Sequence, residues 1–262
     1  MTDINRLLLD AIEIARRAGE VHLSFFRGAG NLNIATKSGE CDIVTAADKA
    51  AEHVIISAIH DLYPSHCILS EESGEVDAAQ GQSEWQWVID PLDGTTNFSQ
   101  GLPIFSVSIG IKCGGVTQVA VVYAPYLQEL FHAVRGEGAF LNGEPLRIAN
   151  TKTSLRQCVV STGFPVDNST HPVNNVAEFS RVLPNVRAVR RYGSAAIDLC
   201  YVAAGHFDAY WEMHLHEWDV CAGELILTEA GAQCVRYRHD RLVSIAAASP
   251  TILPLLLPLI QP

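Results

Sequence analysis

The sequence predicts a mixed protein, an antiparallel α+β first half followed by an α/β second half. Three observations carry this reading. Residues 3–26 and 45–62 place apolar side chains at helical spacing. The stretch 105–134 is rich in Val, Ile, Tyr and Phe and breaks at Gly114-Gly115 and at Pro125, the pattern of three antiparallel strands. Beyond about residue 155, helical and strand-like segments alternate. With 262 residues, 48% of them hydrophobic, the chain can bury a substantial core.

Taken in order, the first helix lines up Leu8, Ile12, Ala15 and Val21, with Asp3 at the N-cap position. The polar segment 27–40 has few large apolar groups and reads as a surface loop or weak hairpin. Thr45-Ala46-Ala47-Asp48 has the form of a capping box opening the second helix, and Pro64 lies just past its end. Short strands follow at 66–70 and 86–90, each running into acidic residues. Residues 136–145 form a turn-rich hairpin region. In the second half, 158–164, 186–190, 208–213, 233–237 and 243–248 read as strands, with helices at 194–204 and 218–230. The change of pattern near 145–155 brings no flexible linker. It divides the chain into halves 1–148 and 149–262, packed as one unit.

Eighteen Lys plus Arg against 29 Asp plus Glu give a net charge of −11. Such a surface opposes general nucleic-acid binding, which needs cations to neutralise phosphates. The seven cysteines, at positions 41, 67, 113, 158, 200, 221 and 234, include no CxxC pair. Their odd number and apolar settings suit reduced thiols in a cytoplasmic protein rather than a disulfide framework or a zinc site. The N-terminus lacks a signal-peptide stretch, and the run 252–260 is short and holds two prolines. No membrane partner is expected.

The most informative segment runs from Trp87 to Phe98, WVIDPLDGTTNF. An apolar strand leads into two acids three residues apart. Pro91 is expected to stop the ladder and fix a turn. Gly94 then permits a tight entry into a Thr-rich helix start, whose free N–H groups suit an anion. One segment thus supplies cation ligands beside an anion cradle, which is what metal-assisted phosphoryl transfer requires. Mg2+ takes oxygen ligands, so carboxylates suit it and thiols or imidazoles do not. Two further acidic places agree. Glu71 and Glu72 end a second apolar strand, and Asp219 opens the helix 218–230. Burying several carboxylates together without a cation is unfavourable, and a metal resolves the conflict.

With these residues in view, the chain resembles the inositol monophosphatase family of Mg2+-dependent, lithium-sensitive phosphatases. The resemblance spans nearly the whole chain: Asp42–Asp48, Tyr63–His66, Glu71-Glu72-Ser73, the string from Asp90 to Phe98, Gly193–Ala196, Trp218-Asp219 and Glu229-Ala230-Gly231. The wording at 190–196 and 218–231 is similar to bacterial members. The resemblance implies a layered αβαβα sandwich, a homodimer, and more than one Mg2+ per site. It makes Glu71, Asp90, Asp93 and Asp219 the metal carboxylates, joined by the Leu92 carbonyl. Asp48, Thr95 and Glu71 become the catalytic group, with Asp48 and Thr95 holding the attacking water. Asp93, Gly94, Thr95, Ser194, Ala195, Glu212 and Asp219 become the substrate contacts. Lys37 falls in a loop that closes over the site in the family; read alone, it is a loop lysine.

The resemblance makes inositol 1-phosphate the expected substrate, and Glu212, which it places at the substrate, suits a polyol, whose hydroxyls donate. The alternatives keep the chemistry and change the ester: histidinol phosphate, NADP, a nucleotide 2′- or 3′-phosphate, or fructose 1,6-bisphosphate. The absence of a dense basic cluster beyond Arg187, Arg190 and Arg191 favours a monophosphate. A non-catalytic metal-binding regulatory module is a distant alternative. Glu217, where relatives often carry an uncharged residue, would suit a cationic substrate if it faced the site. Prolines stand at 254 and 258, where relatives carry an uninterrupted last helix. His214, His216, Arg190 and Arg191 receive no role.

Overall fold

Asp3 caps helix α1 (Ile4–Phe25) by accepting from the backbone N–H groups of Asn5 and Arg6. The computed structural model describes residues 3–28, 32–39, 42–81, 83–148 and 151–261. Glu40, Cys41 and the junction residues 149–150 lie outside the described residues. The segment after α1 forms a hairpin of β1 (Ala35–Gly39) and β2 (Asp42–Val44). Helix α2 (Ala46–Leu62) opens with the expected capping box of Thr45 and Asp48. Next come β3 (Cys67–Ser70), β4 (Gly74–Val76), β5 (Trp85–Asp93) and the short α3 (Thr95–Ser99). The three antiparallel strands follow as β6 (Ser106–Cys113), β7 (Val116–Ala124) and β8 (Glu129–Val134), then β9 (Gly138–Leu141) and β10 (Glu144–Leu146). Beyond the junction lie β11 (Val159–Thr162), α4 (Val176–Val182), β12 (Ala188–Arg190), α5 (Ala195–Ala203) and β13 (Ala209–Leu215). The chain closes with α6 (Glu217–Glu229), β14 (Gln233–Arg236), β15 (Val243–Ala248) and α7 (Leu253–Ile260).

Strand periodicity builds the layers. The larger sheet has the order β10-β9-β8-β7-β6-β5-β3-β4, and the smaller β12-β11-β13-β15-β14. On β7, Val119 and Val121 join the core under α1 and α2, together with Leu7, Ile14, Ile55, Trp87 and Ile109. Their neighbours Ala120 and Val122 turn the other way, into the core of α5 and α6 with Leu199, Leu225 and Ile226. That core also takes Tyr210 and Ile245 from the smaller sheet. The alternate residues Trp211, Met213 and Ala246 face Val182, Leu253 and Leu256 of α4 and α7. The result is the αβαβα sandwich. Each fully buried Leu or Ile contributes about 1.5–3 kcal/mol of transfer free energy. At Gly110 of β6, a Cβ would come 2.3 Å from Cys221 Sγ, so glycine lets α6 lie close on the sheet.

Three elements go beyond the sequence reading. Strand β4 and helix α4 are too short for a periodic signal. Helix α7 forms despite its prolines, because Pro254 occupies its first turn and its apolar side is buried. One expectation is corrected. Pro91 does not end its strand: β5 runs through it to Asp93. Asp90 pairs with Ser108 and Asp93 with Ser106, so a bulge lies between them. The bulge removes the need for a proline N–H in the ladder. The six described cysteines are free. Among the described residues no helix is long and apolar enough to cross a membrane.

Candidate active site

In a regular strand, residues three apart point to opposite faces. The bulge at Pro91 cancels this and aims Asp90 and Asp93 together toward α5 and α6. Strand β3 runs parallel beside β5, with Ser70 opposite Ile89. Glu71 therefore follows directly beside Asp90, tied by its N–H to the Ile89 carbonyl at 3.2 Å. The first turns of α2, α5 and α6 bring Asp48, Ser194 and Asp219 to the same corner.

Each carboxylate leans on a nearby donor. Asp93 accepts from Ser194 Oγ at 2.5 Å and from the N–H groups of Ala195 and Ala196 at 3.3 and 2.9 Å. Asp90 accepts from the Leu92 N–H and Asp219 from the His216 N–H. Burial is the main force on all three, and it disfavours charge. Asp90 is held well above the usual carboxylate range, with Glu71, Asp93 and Asp219 adding repulsion. Asp219 is raised likewise. Asp93 is pushed up to about 6, against the pull of its three donors. Glu72, half-buried, rises to about 7. Lys37 is the cation at this rim, bonded to Glu71 at 2.8 Å and to Glu72. Burial opposes its charge, but the two glutamates hold the ammonium above its usual range.

Thr95 joins this corner to α2. Its hydroxyl has Asp48 Oδ1 and the Leu92 carbonyl within 3.0 Å. Asp48 also accepts from the N–H and hydroxyl of Thr45, and burial raises its pKa. Gly94 precedes Thr95 at φ +92, and a Cβ there would lie 2.9 Å from the Ile104 carbonyl. Only glycine fits this entry to α3.

The corner opens into a cleft of about 390 Å3, lined among others by Lys37, Glu71, Phe164, Glu212, His214 and Asp219. Glu212 accepts from Tyr210 OH at 2.6 Å, and burial lifts it to about 7. A Cβ at Gly163 would overlap its carboxylate, so that glycine keeps the place open. Glu217 turns away from the cleft, to Lys112 at 2.5 Å. His216 stacks on Trp218 at 4.5 Å. Arg190 and Arg191 are both exposed, and the Arg191 guanidinium lowers the pKa of Glu212 against its burial.

Ser194 and Ala195, which the resemblance makes substrate contacts, lie at this corner and bond to Asp93. Two residues escaped the sequence reading. Asn97 Nδ2 donates to the carbonyls of Ile104 and Tyr192, stapling α3 to the 192–193 turn. His22, buried between Phe98 and Phe105, donates from Nε2 to the Pro91 carbonyl at 2.9 Å and so pins the bulge. Burial holds its pKa down to about 4. Asn97 sits inside the conspicuous string, but nothing local marks its partners.

The gathered groups suit a hard divalent cation, being carboxylates and a backbone carbonyl without thiol or imidazole. No three acidic, His or Cys side chains among the described residues close to ligating spacing as they stand.

A sequence profile of the inositol monophosphatase family matches residues 4–257. The chain is 45% identical over 263 residues to the protein named Nus factor SuhB of Pasteurella multocida, covering 99% of this chain and 97% of that one. It superposes on the inositol monophosphatase of Anabaena (Nostoc) with a TM-score of 0.85 at 37% identity, covering 98% and 96% of the two chains. Inositol monophosphatase II of Staphylococcus aureus, solved with inositol monophosphate, matches with a TM-score of 0.78 at 29% identity over 97% and 92%. The staphylococcal protein was also solved with 2′-AMP.

Proposed function

The chain belongs to the inositol monophosphatase family, and on that premise we propose that it is a Mg2+-dependent phosphate monoester hydrolase acting on a small phosphorylated polyol, inositol 1-phosphate first. The observation that carries this reading is the gathering of Glu71, Asp90, Asp93 and Asp219 beside the Thr95–Asp48 hydrogen bond. Glu71, Asp90, Asp93, the Leu92 carbonyl and Asp219 would hold more than one Mg2+. When bound, Mg2+ supplies charge neutralisation for the ester and activation of a water.

The protein's own part is positioning and proton transfer. Thr95 can donate to only one of its two acceptors at a time, leaving an oxygen lone pair for a water at the cleft. Asp48 Oδ1 takes the proton passed through the Thr95 hydroxyl, and its burial makes it a better base than a solvated carboxylate. The turn at Gly94 presents the α3 N–H groups, which would bind the phosphate. Glu212 accepts from the polyol hydroxyls. Ser194 and Ala195 orient Asp93 and thereby the substrate.

A phosphate-release screen over inositol 1-phosphate, histidinol phosphate, 2′-AMP, NADP and fructose 1,6-bisphosphate tests the reading. Release is expected with Mg2+, fastest on inositol 1-phosphate, abolished by chelator and slowed by tens of millimolar Li+ (~ the range in which a weakly held cation competes). Full turnover in EDTA overturns it, as does a trapped phosphoenzyme. Histidinol phosphate is disfavoured because Glu217 is engaged by Lys112. The Nus factor name of bacterial relatives carries a second reading, a role that does not need catalysis. An Asp93→Asn variant that retains a cellular phenotype would favour it. A homodimer in a reducing cytoplasm completes the proposal, and light scattering of the purified protein tests the dimer.

A further inference from the structure

Helix α2 carries a second buried acid one turn beyond Asp48. Glu52 is 7% exposed, and its three donors come from one hairpin. Its Oε1 accepts from Ser70 Oγ and from the Ser73 N–H at 3.0 Å, and its Oε2 accepts from Ser73 Oγ at 2.8 Å. Ser70 and Ser73 bracket Glu71 and Glu72. The loop between β3 and β4 is only three residues, with Ser70 paired to Gly74 at φ +68. Strand β4 is three residues long and lies at the sheet edge, so its ladder alone restrains this loop weakly. Glu52 closes both ends of the loop from the core side.

We propose that Glu52 is a positioning residue: it fixes the Glu71–Glu72 turn and so sets the affinity of the site for its divalent cation. Asp48 and Glu52 share one face of α2 at i,i+4 spacing, so the helix ties the hairpin to the acid that orients Thr95. A carboxylate at position 52 accepts from all three partners with its charge; an amide would force the Ser73 hydroxyl to reverse and accept, and would leave the Ser70 hydroxyl and the Ser73 N–H on a neutral, weaker acceptor. The inference rests on the metal-dependent phosphatase reading.

The test measures MgCl2 binding to the intact protein by calorimetry, without substrate, alongside the Mg2+ dependence of phosphate release. Glu52→Gln is expected to weaken Mg2+ binding about tenfold and to raise the half-activating Mg2+ concentration equally. Turnover at saturating Mg2+ should stay within about threefold of wild type. Ser73→Ala, which keeps the Glu52 charge and removes one of its three donors, should move both quantities in the same direction by about threefold, less than the roughly tenfold of a whole outer-shell partner. That shift separates positioning from simple loss of a negative charge, and it remains measurable if Glu52→Gln folds poorly. Unchanged Mg2+ affinity in Ser73→Ala, or a fall in turnover at saturating Mg2+ with unchanged affinity, overturns the proposal. Absence of Mg2+ binding and Mg2+-dependent release in the wild type removes the phosphatase reading itself, and this inference with it.

Discussion

Charged side chains are buried in two regions of this molecule, and the two regions treat them oppositely. In the turn between β14 and β15, Arg238 has a side chain only 4% exposed and grips Asp240 through two nitrogens at 2.7 and 2.9 Å, with Glu178 at 3.4 Å. Arg241, equally hidden, bonds Asp167 at 2.6 Å. The arginine contacts hold Asp240 down to about 2 and Asp167 below its usual range. In the cleft, burial and mutual repulsion push Asp90, Asp93 and Asp219 the other way. At this turn the protein supplies its own counter-charge. At the cleft it leaves most of that compensation to whatever binds. Such a corner costs stability and is retained for chemistry.

The sharpest break in this contrast comes from exchanging one member of each region. Asp93→Asn should lower phosphate release about a thousandfold through loss of a cation ligand and its charge. Its melting temperature should stay level or rise, since a repelling charge is gone. Arg238→Met should do the reverse, lowering the melting temperature while kcat/KM holds, because the buried Glu178 is left with only the more exposed Arg181. Paired denaturation and kinetic measurements decide; equal loss of stability in both variants would erase the distinction.

Thr95→Ala probes the proton path and should reduce kcat about a hundredfold with little change in KM. A rise in KM alone would make Thr95 a binding residue only. Glu212→Ala should raise KM for inositol 1-phosphate roughly tenfold, the loss of one charge-assisted hydrogen bond. It should barely affect p-nitrophenyl phosphate, which has no hydroxyls to donate. Equal effects on the two esters would remove Glu212 from specificity.

The smallest effect is on pH dependence. Glu212 and Glu72 near 7 and Asp93 near 6 lie above their unfolded values. The folded protein therefore retains protons that the unfolded chain has released. Stability falls as pH rises from about 4.5 to about 7 and is level above. The Arg238-paired Asp240 works oppositely: its contribution is present above about 4 and lost as pH falls through about 2. Metal-free protein should thus melt a few degrees (~2–4 °C) higher at pH 6.5 than at pH 8. Saturating Mg2+ should narrow the gap, because a bound cation favours the charged carboxylates. A metal-free melting temperature that rises with pH would contradict the raised carboxyls.

Much of this molecule is written in contiguous residues. The cap at Asp3, the Thr45–Asp48 box and the alternation on β7 depend on neighbours within a turn or a strand, so the sequence alone determines them. The string from Asp90 to Asn97 likewise marks its own chemistry, since the acids, the glycine and the threonine stand within a few residues of each other. What it did not determine is where those groups point. The bulge at Pro91 is a property of pairing with Ser106 and Ser108, and pairing register is settled between strands. Ser194 finds Asp93 across 101 positions, and His22 finds the Pro91 carbonyl across 69. Glu217 is captured by Lys112 across 105 positions, which no reading of Glu217-Trp218-Asp219 could foresee. Helix α7 holds its prolines because Leu253, Leu256 and Ile260 are buried against the smaller sheet. Local hydrogen bonds and periodicity are encoded within a few residues. The aim of a buried carboxylate depends on donors that only packing of distant segments brings within reach, and so the tertiary structure decided it.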